Sequence, residues 1–366
     1  MHPDEATQLE TARALFDGGR LTQARQLAGL LKAELGRAVD LSAAAIGQFE
    51  SGDAKPTTAT LARLALFLQV PPAFFAADRL RVTVTEDQVH FRSLRSTSNR
   101  DRTQARAQVE ILVQVVETLE RRVRLPRVDL PELPSDTTPE DAARAVRLAW
   151  DLGSRPIKDL VGLLERRGVI ISRLTAVTEE VDAFSCWVSG RPYIILAANK
   201  DAADRSRFDA AHELAHLLLH EDAQPGDPDI ERLAHRFAAE LLAPADAIEP
   251  LLPRRVDWRR LAELKLEWGV SMAMLLRRMR DLDVISDAAF RRGMIDINRR
   301  NWRQSEPVTL GQPEQPELLA RAVALLDRER SYGLPDLARE VALSPSRLTS
   351  LVFALRSAPR ADLTLG

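Results

Sequence analysis

With 366 residues, of which 45% are hydrophobic, the chain is long enough for two or three domains, and its formal net charge of −2 excludes nucleic-acid binding spread over the whole surface. Residues 1–19 are acidic and no apolar run reaches about 18 residues, so the sequence predicts neither a signal peptide nor a membrane span. The single cysteine, Cys186, excludes an internal disulfide and predicts a cytoplasmic protein.

Residues 20–75 have the apolar period near 3.6 that predicts a run of short helices. Gly36 provides a small residue where two helices approach closely, and Asp40 can adopt the left-handed conformation of a tight turn. Ser42 is an N-cap for the helix "AAAIGQFE", which Gly52 ends. This order of helix, turn and helix predicts a helix-turn-helix domain over residues 1–76.

The stretch "LTQARQLAGLLKAELGRAVDLSAAAIGQFESGDAKP" resembles the Cro/lambda-repressor (XRE) family, which implies operator DNA as a partner. The resemblance places the recognition helix at 42–50 and the DNA contacts at Lys32, Ser42, Ala43, Ala44, Gln48 and Lys55. Lys32 stands where the family usually has Gln, and an alanine-rich recognition helix has few groups that can bond to base edges. The alternative is a helical bundle that binds protein instead of DNA.

Residues 77–135 are expected to connect this domain to the next one. An arginine-rich stretch is followed by a helix predicted over 101–124, whose segment "QVEILVQVVETLERRV" is amphipathic and is interpreted as a dimer helix. Four prolines between positions 126 and 139 predict a linker. Thr138 before Pro139 is a helix N-cap signature and marks the start of a second domain, predicted over 136–304.

The second domain is predicted to begin with helices up to about residue 167 and a short strand at 168–174. The segments "VDAFSCWVS" and "RPYIILAAN" flank Ser189-Gly190 and predict a β-hairpin. A helix with the sequence "AAHELAHLLLH" follows directly, at 210–220.

This helix carries a candidate metal site. His212 and His216 are four residues apart, which places both imidazoles on one helix face, where they can share one Zn²⁺ ion. Glu213 points about 100° away and can act as a base on a water molecule at the ion. The alternative is an amphipathic helix that carries the pattern by chance. The residues around this motif are nearly all apolar, which indicates a buried helix. Buried histidine and glutamate side chains need partners, so this burial favours the metal site.

A catalytic zinc site needs a third protein ligand. His220 is a poor candidate, because it lies about 12 Å along the helix from His212. The next helix, "DIERLAHRFAAELLAP", offers Asp229, Glu231, His235 and Glu240. Spacing alone does not choose among these four residues.

The motifs "RSRFDAAHELAHLLLH" and "ERLAHRFAAELLAP" resemble the ImmA/IrrE metallopeptidases, over roughly 140–300. The resemblance implies one Zn²⁺ per chain held by His212, His216 and Glu231, with Glu213 as the catalytic base. It also implies that the hairpin strands hold an extended substrate, and that the substrate is a partner transcriptional repressor. His235 and Tyr193 are further candidates for stabilising the oxyanion of the reaction.

Residues 305–366 are predicted to form a helical C-terminal region after the Pro/Gln/Glu-rich segment "SEPVTLGQPEQPE". Residues 254–303 are basic, with 13 Lys and Arg against 7 Asp and Glu. Two stretches, "LAELKLEWGVSMAMLLRRMRDLDVIS" and "LPDLAREVALSPSRLTSLV", have a helix-turn-helix rhythm. Packing against the peptidase domain is favoured over contact with DNA for both of them.

The expected fold is mainly α-helical with a small β-sheet: an all-α helix-turn-helix domain, an α+β zincin-like peptidase domain and a helical C-terminal region. The expected function is a transcriptional regulator that cleaves a repressor, with no membrane partner and with a homodimer as its expected assembly. Two rival functions do without proteolysis. One is a transcription factor whose peptidase-like domain senses a ligand, and the other is an antitoxin-like regulator.

Overall fold

The computed structural model describes residues 3–76, 84, 89–90, 98–174, 183–198, 202–219 and 228–352. The described N-terminal part is helical. Its helices are α1 (Pro3–Ala14), α2 (Gly18–Leu27), α3 (Lys32–Ala38), α4 (Ala43–Ser51) and α5 (Thr58–Leu68), followed by a 3₁₀ turn at Pro72–Phe75.

The turn between α3 and α4 has the predicted chemistry. Asp40 has a φ of 54°, and Ser42 caps α4 by accepting a hydrogen bond from the Ala45 amide. A Cβ atom on Gly36 would lie 2.6 Å from the Leu41 carbonyl oxygen, so only glycine fits where the turn crosses α3. Gly52 ends α4 with a φ of 84°. Local sequence therefore determines this helix-turn-helix unit.

Helix α6 (Asn99–Glu120) is buried on nearly all sides within this one chain. Its side chain Gln114 donates to the Val341 carbonyl, and Glu110 accepts from Gln23 of α2 at 2.9 Å. Arg20 of α2 is 1% exposed and donates to Gln114 as well. The prediction of a dimer helix here is wrong, because the apolar face that suggested a second copy is covered by the chain itself.

The proline-rich linker is fixed to the peptidase part of the chain. The Asp129 amide donates to the Arg167 carbonyl, and the Trp150 indole donates to the Asp129 carbonyl, both at 2.9 Å. The next two helices are α7 (Pro139–Ala149) and α8 (Leu160–Arg166). Thr138 caps α7 as predicted, by accepting from the Asp141 amide.

Among the described residues, four strands form one sheet in the order β1-β3-β4-β2, with β1 at Val89–His90, β2 at Ile170–Leu174, β3 at Ala183–Val188 and β4 at Arg191–Ala197. Strands β3 and β4 form the predicted hairpin. Ser189 and Gly190 both have positive φ, at 51° and 73°, as a two-residue type I′ turn requires. Strand β2 pairs in parallel with β4, and β1 pairs antiparallel with β3 at the other edge.

The sheet separates two hydrophobic cores, because side chains alternate across it. One core contains the N-terminal helices, α6, the C-terminal helices and one face of the sheet, which is formed by Ile170, Phe184, Cys186, Val188, Tyr193 and Ile195. The other core is that of the peptidase part and includes the opposite face, formed by Ile171, Ala183, Ile194 and Leu196. Both faces of the sheet are therefore buried.

The remaining helices complete the two cores. They are α9 (Ala203–Leu219), α10 (Pro228–Leu242), α11 (Ala245–Ile248), α12 (Trp258–Trp268), α13 (Met272–Asp281), α14 (Asp287–Arg299), α15 (Leu318–Arg330), α16 (Leu334–Glu340) and α17 (Pro345–Val352). Helices α12 and α13 pack into the peptidase core. Helices α15 to α17 pack instead into the core of α6 and the N-terminal helices, where Arg122 pairs with Glu340 at 2.7 Å. In the described part of the chain, no helix is both long and apolar enough to cross a membrane.

The Pro/Gln/Glu-rich segment between α14 and α15 is fixed by two glutamates. Glu306 accepts from the backbone amides of Met272 and Ala273 at the start of α13. Glu314 accepts from the amides of Leu160 and Val161 at the start of α8. A carboxylate at a helix N-terminus is stabilised by the free amides there, so this segment fastens two helices of the peptidase core.

Candidate metal centre

Helix α9 places His212, Glu213 and His216 against strand β3 and helix α10. Their exposed fractions are 8%, 6% and 3%, although each side chain is polar. The helix packs its apolar residues into the peptidase core, so its histidines lie at the junction of three elements.

Glu231 of α10 completes a cluster with the two histidines. Its Oε2 lies 3.2 Å from His212 Nε2, and its Oε1 lies 3.5 Å from His216 Nε2. The two Nε2 atoms are 3.1 Å apart. A tetrahedral zinc site with bonds of about 2.0–2.1 Å separates its ligand atoms by about 3.3–3.4 Å. The observed spacing is close to that value, so two imidazoles and one carboxylate fit a zinc ion.

No other group of three or more potential ligands lies close enough to hold an ion among the described residues. Two of the other candidates for third ligand, Asp229 and Glu240, lie outside the cluster. Asp229 is exposed and pairs with Arg232 at 2.9 Å, and Glu240 is buried against Arg278. His235 is exposed, and its ring centroid lies 4.7 Å from that of His212. His235 therefore stays close enough to contact a molecule bound at the cluster.

Glu213 is oriented by a residue that sequence analysis missed. The Ser185 hydroxyl of β3 donates to Glu213 Oε2 at 2.8 Å, and Ser185 is fully buried. One carboxylate oxygen is thus fixed toward the sheet beside the cluster. The signal in the sequence was a polar residue in the apolar strand "AFSCWV", at a position that faces the histidine helix.

Tyr193 is not part of this site, and its prediction as an oxyanion-stabilising group is wrong. It lies directly opposite Cys186 in the β3–β4 pair, on the face that belongs to the core of α6 and the N-terminal helices. Ser185 and its partner Ile194 face α9 instead. Burial raises the pKa of the Tyr193 hydroxyl, so the side chain is held neutral inside that core.

Cys186 is a buried apolar residue, as predicted. It is fully buried, and desolvation raises the pKa of its thiol, which disfavours the reactive thiolate. His220, the poor ligand candidate, lies outside the described residues.

All six residues predicted to contact DNA are exposed, on the surface of α3, of α4 and of the loop after α4: Lys32, Ser42, Ala43, Ala44, Gln48 and Lys55. The two lysines also make contacts within the chain. Lys32 Nζ lies 3.3 Å from Glu50 Oε2, and Lys55 Nζ donates to the Ala14 carbonyl at 3.0 Å. The Glu50 carboxylate lowers the positive charge that Lys32 offers to phosphates.

Two family models match the chain. Residues 21–75 match the helix-turn-helix model HTH_3, and residues 164–280 match Peptidase_M78, the IrrE N-terminal-like domain. The chain joins an XRE-type helix-turn-helix domain to an ImmA/IrrE-type peptidase domain. A comparison with curated proteins found no match.

The ImmA/IrrE-type match begins in α8 and ends in α13, so it includes β2 to β4 and all four residues of the site. The XRE-type match begins in α2 and ends with the 3₁₀ turn. Helices α1, α6, α7 and α14 to α17 lie outside both matches. The predicted domain limits, 1–76 and 136–304, are wider than these matches and stay predictions.

Proposed function

We propose that this protein is a DNA-binding transcriptional regulator whose zinc-dependent peptidase domain cleaves a specific partner repressor and so relieves repression. The observation that carries the proposal is the buried cluster of His212, His216 and Glu231, with Glu213 adjacent to it. Buried imidazoles and a carboxylate at ligand spacing are costly to fold without a shared cation.

The residues of the site have distinct roles in this proposal. His212, His216 and Glu231 hold the ion, which when bound polarises a carbonyl and makes water acidic enough to lose a proton near neutral pH. Glu213 accepts that proton as water attacks the scissile carbonyl, and then donates it to the leaving amine. Ser185 keeps the Glu213 carboxylate in place by donating to one oxygen. His235, exposed beside His212, is the candidate for stabilising the developing oxyanion.

Metal content distinguishes the proposed peptidase from the two rival functions, which do without proteolysis. We expect the wild-type protein, purified without added metal, to contain one zinc ion per chain by mass spectrometry, and the His216→Ala protein to contain none. His235→Ala is the matched control, since it removes a neighbouring imidazole and should leave the zinc in place. A wild type without metal, or equal zinc in wild type and His216→Ala, would favour a regulator that does not cleave.

The helix-turn-helix domain is proposed to bind operator DNA through α4. Gln48 is an exposed residue of α4 whose side-chain amide has both a donor and an acceptor, and a bidentate contact with a base is worth about 1–3 kcal/mol. We expect Gln48→Ala to weaken binding to a duplex selected from a random pool by about tenfold or more, measured by fluorescence anisotropy. Gln8→Ala on α1 removes an exposed glutamine away from α4 and should change nothing. Equal losses from both changes would show that α4 does not read bases.

Three further predictions belong to this function: one zinc per chain, a cytoplasmic location and a homodimer. The single, buried Cys186 supports a reducing compartment. A homodimer must use a surface other than α6, which is buried in the chain.

A further inference from the structure

Strand β1 lies along the outer edge of β3. Val89 is opposite Cys186 and His90 is opposite Ser185, in antiparallel register. Strand β3 pairs with β4 along one edge, so β1 pairs with its opposite edge. The chain supplies this strand from the connector between α5 and α6.

The covered edge belongs to the strand that contacts the metal centre. Ser185 donates to Glu213 at 2.8 Å, and the Trp187 indole donates to the Leu217 carbonyl of α9. Directly opposed residues of an antiparallel pair have Cα atoms about 4.5–5.5 Å apart. The backbone of His90 therefore passes within roughly 10 Å of the Glu213 carboxylate. An extended peptide presented to Glu213 by strand addition would need this same edge.

The connector is also attached to the core of α6 and the N-terminal helices. Val84 is buried, and its amide donates to Glu110 Oε1 of α6 at 3.2 Å. The other oxygen of Glu110 accepts from Gln23 of α2, in the helix-turn-helix domain. Contacts thus link the DNA-binding domain through α6 to Val84, which precedes β1 by five positions in the sequence.

We propose that the connector strand β1 occupies the peptide-binding edge of β3, and that another peptide pairs with β3 only after β1 has left it. Two strands cannot use one edge, because each backbone N–H and C=O group of β3 on that side has one partner position. A tethered strand acts at an effective concentration in the millimolar range, so it competes well with a free peptide. Two pairs join β1 to β3 among the described residues, so a peptide that pairs along more of β3 can displace β1. The binding of a substrate peptide at this edge of β3 rests on the proposed function, whereas the pairing of β1 with β3 does not.

The experiment measures peptide binding and needs no catalysis. The parent protein carries Glu213→Gln and is loaded with zinc, and the probe is a fluorescent peptide with the sequence of residues 84–95, "VTEDQVHFRSLR". In the test variant, Val89→Pro and His90→Pro remove both amide donors of β1. We expect the peptide to bind the proline variant at least tenfold more tightly than the parent, by fluorescence anisotropy.

The matched control replaces the same two residues by alanine, which keeps both amides and should bind the peptide as weakly as the parent. Hydrogen–deuterium exchange of β3 gives a second measurement, with exchange at least tenfold faster in the proline variant only. Equal peptide binding by all three proteins, or no binding by any of them with unchanged exchange, would overturn the proposal. Failure of the proposed function would appear separately, as an absence of cleavage by the corresponding proteins that retain Glu213, while the Glu213→Gln proteins bind the peptide as expected.

Discussion

Replacing Glu213 with glutamine is expected to lower the rate of peptide cleavage by about 10²- to 10⁴-fold while leaving the zinc content unchanged. Glutamine has nearly the same shape and can still contact Ser185, but it cannot take a proton from water. The residues proposed to hold the ion are His212, His216 and Glu231, and this substitution alters none of them. Loss of cleavage without loss of metal would therefore assign the proton transfer to Glu213.

The substrate need not be known in advance for this measurement. Mass spectrometry of protein N-termini compares cells that make the wild type with cells that make Glu213→Gln, and we expect a narrow set of new N-termini in the wild type alone. Glu263→Gln is the control, because it makes the same chemical change at an exposed, ion-paired position of α12. The same N-termini in wild-type and Glu213→Gln cells would contradict the role of this residue.

Replacing Lys265 with methionine is expected to lower the free energy of unfolding by about 3–5 kcal/mol. Lys265 is 3% exposed, and its Nζ contacts Asp204 of α9 at 2.6 Å and Glu306 at 2.8 Å. Methionine fills a similar volume but leaves two buried carboxylates without their cation. A buried charge that loses its partner keeps its full desolvation cost.

Urea unfolding followed by tryptophan fluorescence measures this effect, because all five tryptophans of the chain lie between residues 150 and 302. Arg260→Met on the same helix removes a partly exposed ion pair with Glu263, which is worth about 0–1 kcal/mol. Similar losses for the two variants would mean that the buried Lys265 network contributes no more than a surface pair.

Elements whose cause is local were predictable from the sequence. The turn at Asp40, the Ser42 cap, the Ser189-Gly190 hairpin and the spacing of His212 and His216 each depend on a few consecutive residues. For the third metal ligand, the sequence offered four candidates, and only the family resemblance chose Glu231 among them. The structure then places Glu231, rather than Asp229 or Glu240, beside both histidines.

Features that depend on distant contacts were not predictable. The apolar face of α6 looks the same in sequence whether a second copy or the chain itself covers it, so its burial was missed. Strand alternation placed Tyr193 and Ile194 on opposite faces, but the face that α9 covers depends on tertiary packing. Glu306 and Glu314 lie in a proline-rich segment that is typical of a linker. Their contacts could not be predicted, because nothing in the local sequence shows which helix ends they reach.

The sheet shared by both cores has a consequence for how such proteins can be assembled by gene fusion. A peptidase gene segment moved alone would encode a sheet with Phe184, Cys186, Tyr193 and Ile195 facing water on one side. Exposed apolar surface of this kind promotes aggregation. The smallest segment that keeps both faces of the sheet covered therefore includes α6 and the C-terminal helices as well as the helices of the metal centre. The two family matches alone suggest, instead, two separable domains joined by a linker.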